Sequence, residues 1–292
     1  MSNPLIEDIK RSFKSGSALM KIIYINVGVF LFVNIIELLF FLFAEQPISF
    51  LRLLGAPASP EELLFKPWTI ITYMFYHEGF MHLLFNMVML YFSGQLFISF
   101  LGEKKFISTY ILGGIAGYVL FAVSFNLFPA FRYYPAHSYL LGASASIMAV
   151  FIGIATYIPN FIVRLFFTIQ VPLKWIALGY FILDILNISG KNPGGSLSHV
   201  GGALFGYFMI KSYQQGRGFV LDLSWFKNLF KRKMKVVHST TKKKKSGFNS
   251  GNKNTNKPSQ EEIDRILDKI SKSGYDSLTK KEKETLFKSS NN

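Results

Sequence analysis

The chain of 292 residues contains no cysteine. That removes disulfides, thiolate metal sites and a cysteine nucleophile together. Acidic residues are scarce too, 17 against 32 lysines and arginines, for a formal net charge of +15. Charge of either sign is nearly missing from a series of long apolar blocks, and half of all residues are hydrophobic, phenylalanine alone contributing 31. Such blocks point to a bilayer rather than water as the main solvent. Paired acids inside them, expected of an ion-coupled transporter, are lacking apart from Glu37 and Asp184.

The basic residues crowd ahead of the first apolar block and after Lys211. Nucleic-acid binding is the rival reading of that basicity. The positive-inside rule explains the same distribution with fewer assumptions, because cationic flanks stay on the cytoplasmic side of a span. No nucleic-acid partner is therefore expected; the lipid bilayer is.

Crossing hydrocarbon takes about 20 mostly apolar helical residues. Ile22 to Phe43 is such a run, interrupted only by Asn26, Asn34 and Glu37. It is longer than the apolar region of a cleaved signal and reads as a retained anchor. Further spans are expected at Phe80 to Phe100, Phe106 to Phe128, Tyr139 to Ile158, Trp175 to Ile188 and His199 to Ile210. The fold class is an all-α integral membrane bundle of six transmembrane helices. Lys10, Arg11, Lys14, Lys21, Lys104, Lys105, Arg164 and Lys174 fall on one side of it, with the basic tail, and Arg52, Lys66, Arg132 and Lys191 on the other. Both termini are then cytoplasmic in a plasma or inner membrane.

Between spans, Ala44 to Pro67 reads as a long loop with short interfacial helices, one opened by Ser59-Pro60-Glu61-Glu62. Alternation from Val163 to Val171 suggests an interfacial hairpin rather than a span. The organisation is a cytoplasmic arm over residues 1–20, a membrane domain over 21–213, a basic linker over 214–258 and a helical hairpin over 259–292. The linker, with Lys242 to Lys245, buries too little to fold and suits an anionic lipid surface. Capping boxes at Ser259-Gln260-Glu261-Glu262 and Thr279-Lys280-Lys281-Glu282 open the two helices, Gly274 turns between them, and Ile263, Ile266, Leu267, Ile270 and Leu286 recur at helical spacing. This appendage reads as a docking element, with no partner indicated.

Three polar clusters lie where membrane helices normally avoid them: His77-Glu78 with His82 and Asn86, Gly142-Ala143-Ser144-Ala145-Ser146, and Ser198-His199 before Gly201-Gly202-Ala203. They open the second, fourth and sixth spans, so alternation puts all three near the outer surface. Small residues at Gly142, Ala145, Ala149 and Gly153, and at Gly202 and Gly206, let those helices approach closely. An imidazole beside a serine takes its proton as it attacks a carbonyl. Ser144 and His199 suit those roles, and a helix start with Asn86 and His82 suits a developing oxyanion.

His82-Leu83-Leu84-Phe85-Asn86, Gly142-Ala143-Ser144 and Ser198-His199-Val200-Gly201-Gly202 resemble, in order and span, the signature motifs of rhomboid intramembrane proteases. The resemblance covers roughly residues 20–212. It implies a rhomboid-like bundle with a Ser144–His199 dyad, an oxyanion pocket of His82, Asn86 and the Ser144 amide, transmembrane protein substrates and no cofactor. Two positions depart. Ala145 replaces a common glycine and adds a methyl expected to crowd the oxyanion pocket. Ile98 stands where an acidic residue often ties helices together.

Other readings stay open. Ser146 is the rival nucleophile, pointing elsewhere on the helix. His77 is read as a polar interface residue ahead of a ligand or proton-transfer group. A His77, His82 and His199 zinc site has no HExxH spacing behind it. Asp184 is either a third member orienting His199 or, as the dyad implies, structural. The soluble G-x-S-x-G elbow fails, since Ser146 takes the last glycine's place. Lys191 to Gly195 reads as a flexible lid before His199. The alternative function is a non-catalytic module that holds membrane clients for quality control, suggested by Ala145 and the appended tail.

Overall fold

The computed structural model describes residues 16–43, 49–134, 138–165, 168–190, 192–218, 220–221 and 260–290. The chain divides into two units, residues 1–231 and 232–292. In the first, helix α1 (Ala18–Phe43) presents Phe32, Ile35, Leu38, Phe41 and Phe43 outward. A helix with large apolar side chains on its exposed face is built for lipid. Its first turn is tied by the Ala18 amide, which donates to Glu103 Oε1 at 3.2 Å. An acidic helix tie thus exists, from Glu103 rather than from the position of Ile98, which packs partly buried against the core.

The following loop holds α2 (Leu51–Leu54), β1 (Ala56–Pro57), α3 (Pro60–Phe65) and α4 (Thr69–Thr72). Ser59 caps α3 as its sequence suggests, its hydroxyl accepting from the Glu62 amide at 3.2 Å. Burial pushes the Glu62 carboxyl up, but the Lys66 ammonium and the Tyr139 hydroxyl outweigh it and hold that carboxyl below its ordinary range.

Helices α5 (Phe80–Leu101) and α6 (Glu103–Leu127) follow, joined at Gly102. Strand β2 (Tyr139–Leu140) pairs antiparallel with β1, Ala56 opposite Leu140. Then come α7 (Ser144–Tyr157), the hairpin β3 (Ile162–Leu165) and β4 (Ile169–Pro172), α8 (Leu173–Leu186), a 3-10 turn at Asn187–Ser189 and α9 (Pro193–Gln214). Among these, α1, α5 and α6 are long and apolar enough to cross a bilayer, and α7 is a shorter apolar helix. The interfacial hairpin is formed as expected, with Val163 opposite Val171.

Two span starts differ most from expectation. The fourth helix starts at Ser144 rather than Tyr139, because Tyr139 and Leu140 are paired to β1 and Gly142 takes a φ of +101° that ends extended structure and excludes helix. The sixth starts at Pro193 rather than His199. Asn192 caps it, its side chain accepting from the Gly195 amide at 2.9 Å, and Pro193 holds the first helical position. The lid expected over Lys191 to Gly195 is therefore a capped first turn from Asn192 onward; Lys191 itself lies outside the described residues.

Helices α6, α7 and α9 meet at backbone distance. A methyl on Gly117 would lie 2.6 Å from both Ala145 Cβ and the Ser198 carbonyl, and methyls on Gly202 and Gly206 would strike the carbonyl oxygens of Ala145 and Ala149. In the second unit, α10 (Gln260–Ser273) and α11 (Lys280–Ser290) are joined through Gly274, at φ +77°, and a 3-10 turn. Lys269 pairs with Glu282 at 2.9 Å. The Thr279 box is reciprocal: its amide donates to Glu282 Oε2 at 2.7 Å and its hydroxyl accepts from the Glu282 amide at 3.4 Å. Most of the expected arm, residues 1–15, most of the linker, residues 222–258, and the Ser259 cap lie outside the described residues.

Candidate active site

Ser144 is the first residue of α7, delivered by a turn that is braced from the segment ahead of α5. The Gly142 amide donates to the Tyr73 carbonyl at 2.9 Å, and the Ala143 amide donates to His77 Nε2 at 3.3 Å. The next amide, that of Ser144, sits where a helix has no internal acceptor to offer. Such a donor is available to a negative oxygen. Gly142 is required twice: for its positive φ, and because a methyl there would lie 2.8 Å from His82 Cε1 and Nε2.

His77 is not an interface residue. It is 1% exposed, its ring edge-on to His82 with centroids 5.1 Å apart, and it satisfies a buried amide that solvent does not reach. Nothing in the spacing of His77 and Ala143 announces this bond, which joins positions 66 residues apart.

A cavity of about 490 Å³ opens over the turn, and Ser144, His199, His82 and Asn86 all line it. Asn86 Nδ2 donates to the His82 carbonyl at 2.9 Å. A carboxamide nitrogen carries two hydrogens, so one stays available. Ser146, by contrast, is fully buried, and its hydroxyl faces α6, where a methyl on Gly114 would lie 2.5 Å from it. Ala145 also turns away. Its methyl sits against Gly117 and does not line the cavity, so the expected crowding of an oxyanion pocket is not found.

His199 stands in the second turn of α9, and the first turn is held by the Ser198 hydroxyl donating to the Gly195 carbonyl at 2.7 Å. Among the described residues no hydrogen bond joins His199 to Ser144; its Nδ1 lies 2.9 Å from Asp184 Oδ1 on α8. Asp184 is therefore a direct partner of the imidazole. The signal is present in the sequence as an intramembrane acid 15 residues before the histidine.

Long outward-apolar helices around a recessed polar cavity define a multi-pass membrane protein. The Rhomboid domain profile matches residues 64–214, just over half of the chain, and the chain belongs to the rhomboid family. A family of unknown function (DUF6576) matches residues 252–292. The chain is 29% identical over 163 residues to presenilin-associated rhomboid-like protein A, mitochondrial, of Danio rerio, a match covering 52% of this chain and 37% of that protein.

Proposed function

We propose that the protein is an intramembrane serine endopeptidase that cleaves transmembrane segments of membrane proteins. In this reading α1, α5, α6, α7, α8 and α9 all cross the bilayer, in a plasma or inner membrane with both termini cytoplasmic, and residues 21–213 form the protease domain. The observation that carries it is that Ser144, His199, His82 and Asn86 line a single cavity.

His199 accepts the Ser144 proton as Oγ attacks the scissile carbonyl, and the tetrahedral oxygen takes hydrogen bonds from the Ser144 amide, Asn86 Nδ2 and the His82 ring. His199 then returns the proton to the leaving amine. Water, activated by the same imidazole, cleaves the acyl-enzyme. Catalytic hydrogen bonds are often unmade before substrate binds, which suits an unjoined Ser144 and His199. No step calls for a cofactor. The non-catalytic reading loses one of its motives, because the Ala145 methyl lies in helix packing.

Ser144→Ala and His199→Ala, purified with a reporter membrane protein, are expected to lose cleavage by at least ~10³-fold. Ser146→Ala is expected to retain it. A serine-reactive phosphonate is expected to modify Ser144 in the unaltered protein. Undiminished cleavage in the Ser144 and His199 variants sinks the mechanism.

A further inference from the structure

We infer that Asp184 is a positioning residue that sets the tautomer and orientation of the His199 base, an inference that rests on the Ser144–His199 reading. Asp184 lies near the end of α8, which is followed by the 3-10 turn Asn187–Ser189, and His199 lies in α9, capped by Asn192. The two side chains face each other, with Oδ1 and Nδ1 2.9 Å apart. Both are sheltered, the Asp184 side chain 9% and that of His199 17% exposed.

A carboxylate only accepts hydrogen bonds, so the imidazole nitrogen facing it must carry the proton. The neutral ring has one N–H. With Nδ1 protonated, Nε2 keeps its lone pair, and it is Nε2 that is left for the cavity that Ser144 lines. The other tautomer offers Ser144 a donor in place of a base. When the Ser144 proton arrives, the carboxylate beside Nδ1 also stabilises the resulting imidazolium.

An acidic side chain inside a membrane bundle is costly and calls for a partner. Asp184 is 7% exposed, and among the described residues its Oδ2 has no hydrogen-bond partner and its Oδ1 has His199 alone. A purely architectural acid would be expected to bridge backbone or a cation, and among the described residues this one hydrogen-bonds to the imidazole.

The test uses the full chain in detergent with a cleavable reporter, comparing Asp184→Asn, Asp184→Glu and the unaltered protein. Asparagine keeps the size but offers an N–H as well as an oxygen, so it releases the tautomer. Asp184→Asn is expected to lower kcat by about 10²-fold or more with KM changed less than about threefold. Asp184→Glu, still an acceptor only, recovers part of the loss. With ¹⁵N-histidine labelling and the His199 signal assigned through His199→Gln, the unaltered protein is expected to show Nδ1–H and Asp184→Asn to gain Nε2–H. Retained thermal stability of Asp184→Asn separates positioning from misfolding. An active protein whose rate and tautomer are both indifferent to Asp184→Asn overturns the inference and leaves the protease reading intact. An unaltered protein that neither cleaves nor takes the phosphonate label overturns the protease reading, and Asp184's part in it, whatever the spectrum shows.

Discussion

At the scale of single residues, the site depends on positions that carry no reactive group. Gly142 is one. Its φ of +101° strains any other residue, by about 1–2 kcal/mol for left-handed backbone, and an added methyl at 2.8 Å from the His82 ring displaces that ring or the turn. Gly142→Ala is expected to lower the melting temperature by a few degrees and cut reporter cleavage by at least ~10-fold, a larger effect on rate than its stability cost implies. Cleavage at the unaltered rate would show that His82 and the turn have more freedom than the contact allows. Ser144, His199, His82 and Asn86 could be picked out from sequence because polar residues inside apolar blocks are conspicuous. His77 stands out too, but its partner does not, since Ala143 lies 66 residues away; Asp184 is legible as either an orienting partner of His199 or a structural acid, and the 2.9 Å contact joins it to that ring. Ala145 was misjudged for a related reason: which way a methyl points depends on where its helix starts.

At the scale of elements, hydrophobic runs locate helices better than they locate helix ends. Tyr139 and Leu140 are apolar enough to extend a span, yet they serve as a strand, and only Gly142 in the sequence hints at the break. Gly194 and Gly195 look flexible, yet an asparagine cap and a proline at the first position start a helix through them. A methyl on Gly195 would collide with the Asn192 side chain, so glycine there makes room for the cap. The caps at Ser59 and Thr279 are legible because they are local, while the Ser259 box lies outside the described residues. In α11 the Glu282 carboxyl is held down to about 2, first by the Thr279 amide and then by the Lys269 side chain and the Thr279 hydroxyl. A lowered carboxyl stabilises the fold above its unfolded pKa of about 4.3 and stops doing so as pH falls toward about 2. Helicity of residues 280–290 in the full chain is therefore expected to decline between about pH 4 and about pH 2, and Glu282→Gln to be less helical at neutral pH and flatter across that window. Followed by NMR chemical shifts, an identical acid profile for both proteins would contradict the cap's contribution.

At the scale of the whole molecule, every side chain brought to the cavity comes from the first unit, residues 1–231. A chain ending at Lys231 is expected to label Ser144 with phosphonate at a rate within about twofold of the full chain, since no lining group is removed. Labelling lost on truncation would assign the second unit a part in the chemistry. Alternation of spans was enough to predict that three distant clusters share one side, because bilayer topology permits few arrangements. What it leaves open is depth. Helix α7 has 14 residues. It rises only about 21 Å, against hydrocarbon roughly 30 Å thick. In the proposed protease, where α7 crosses the bilayer with its far end near one headgroup layer, Ser144 at its beginning lies several ångströms beneath the other, and a substrate peptide bond descends below the headgroups, losing its helical hydrogen bonds there, before it is cut. Targets rich in glycine or proline near one end of their membrane segment meet that demand at least cost.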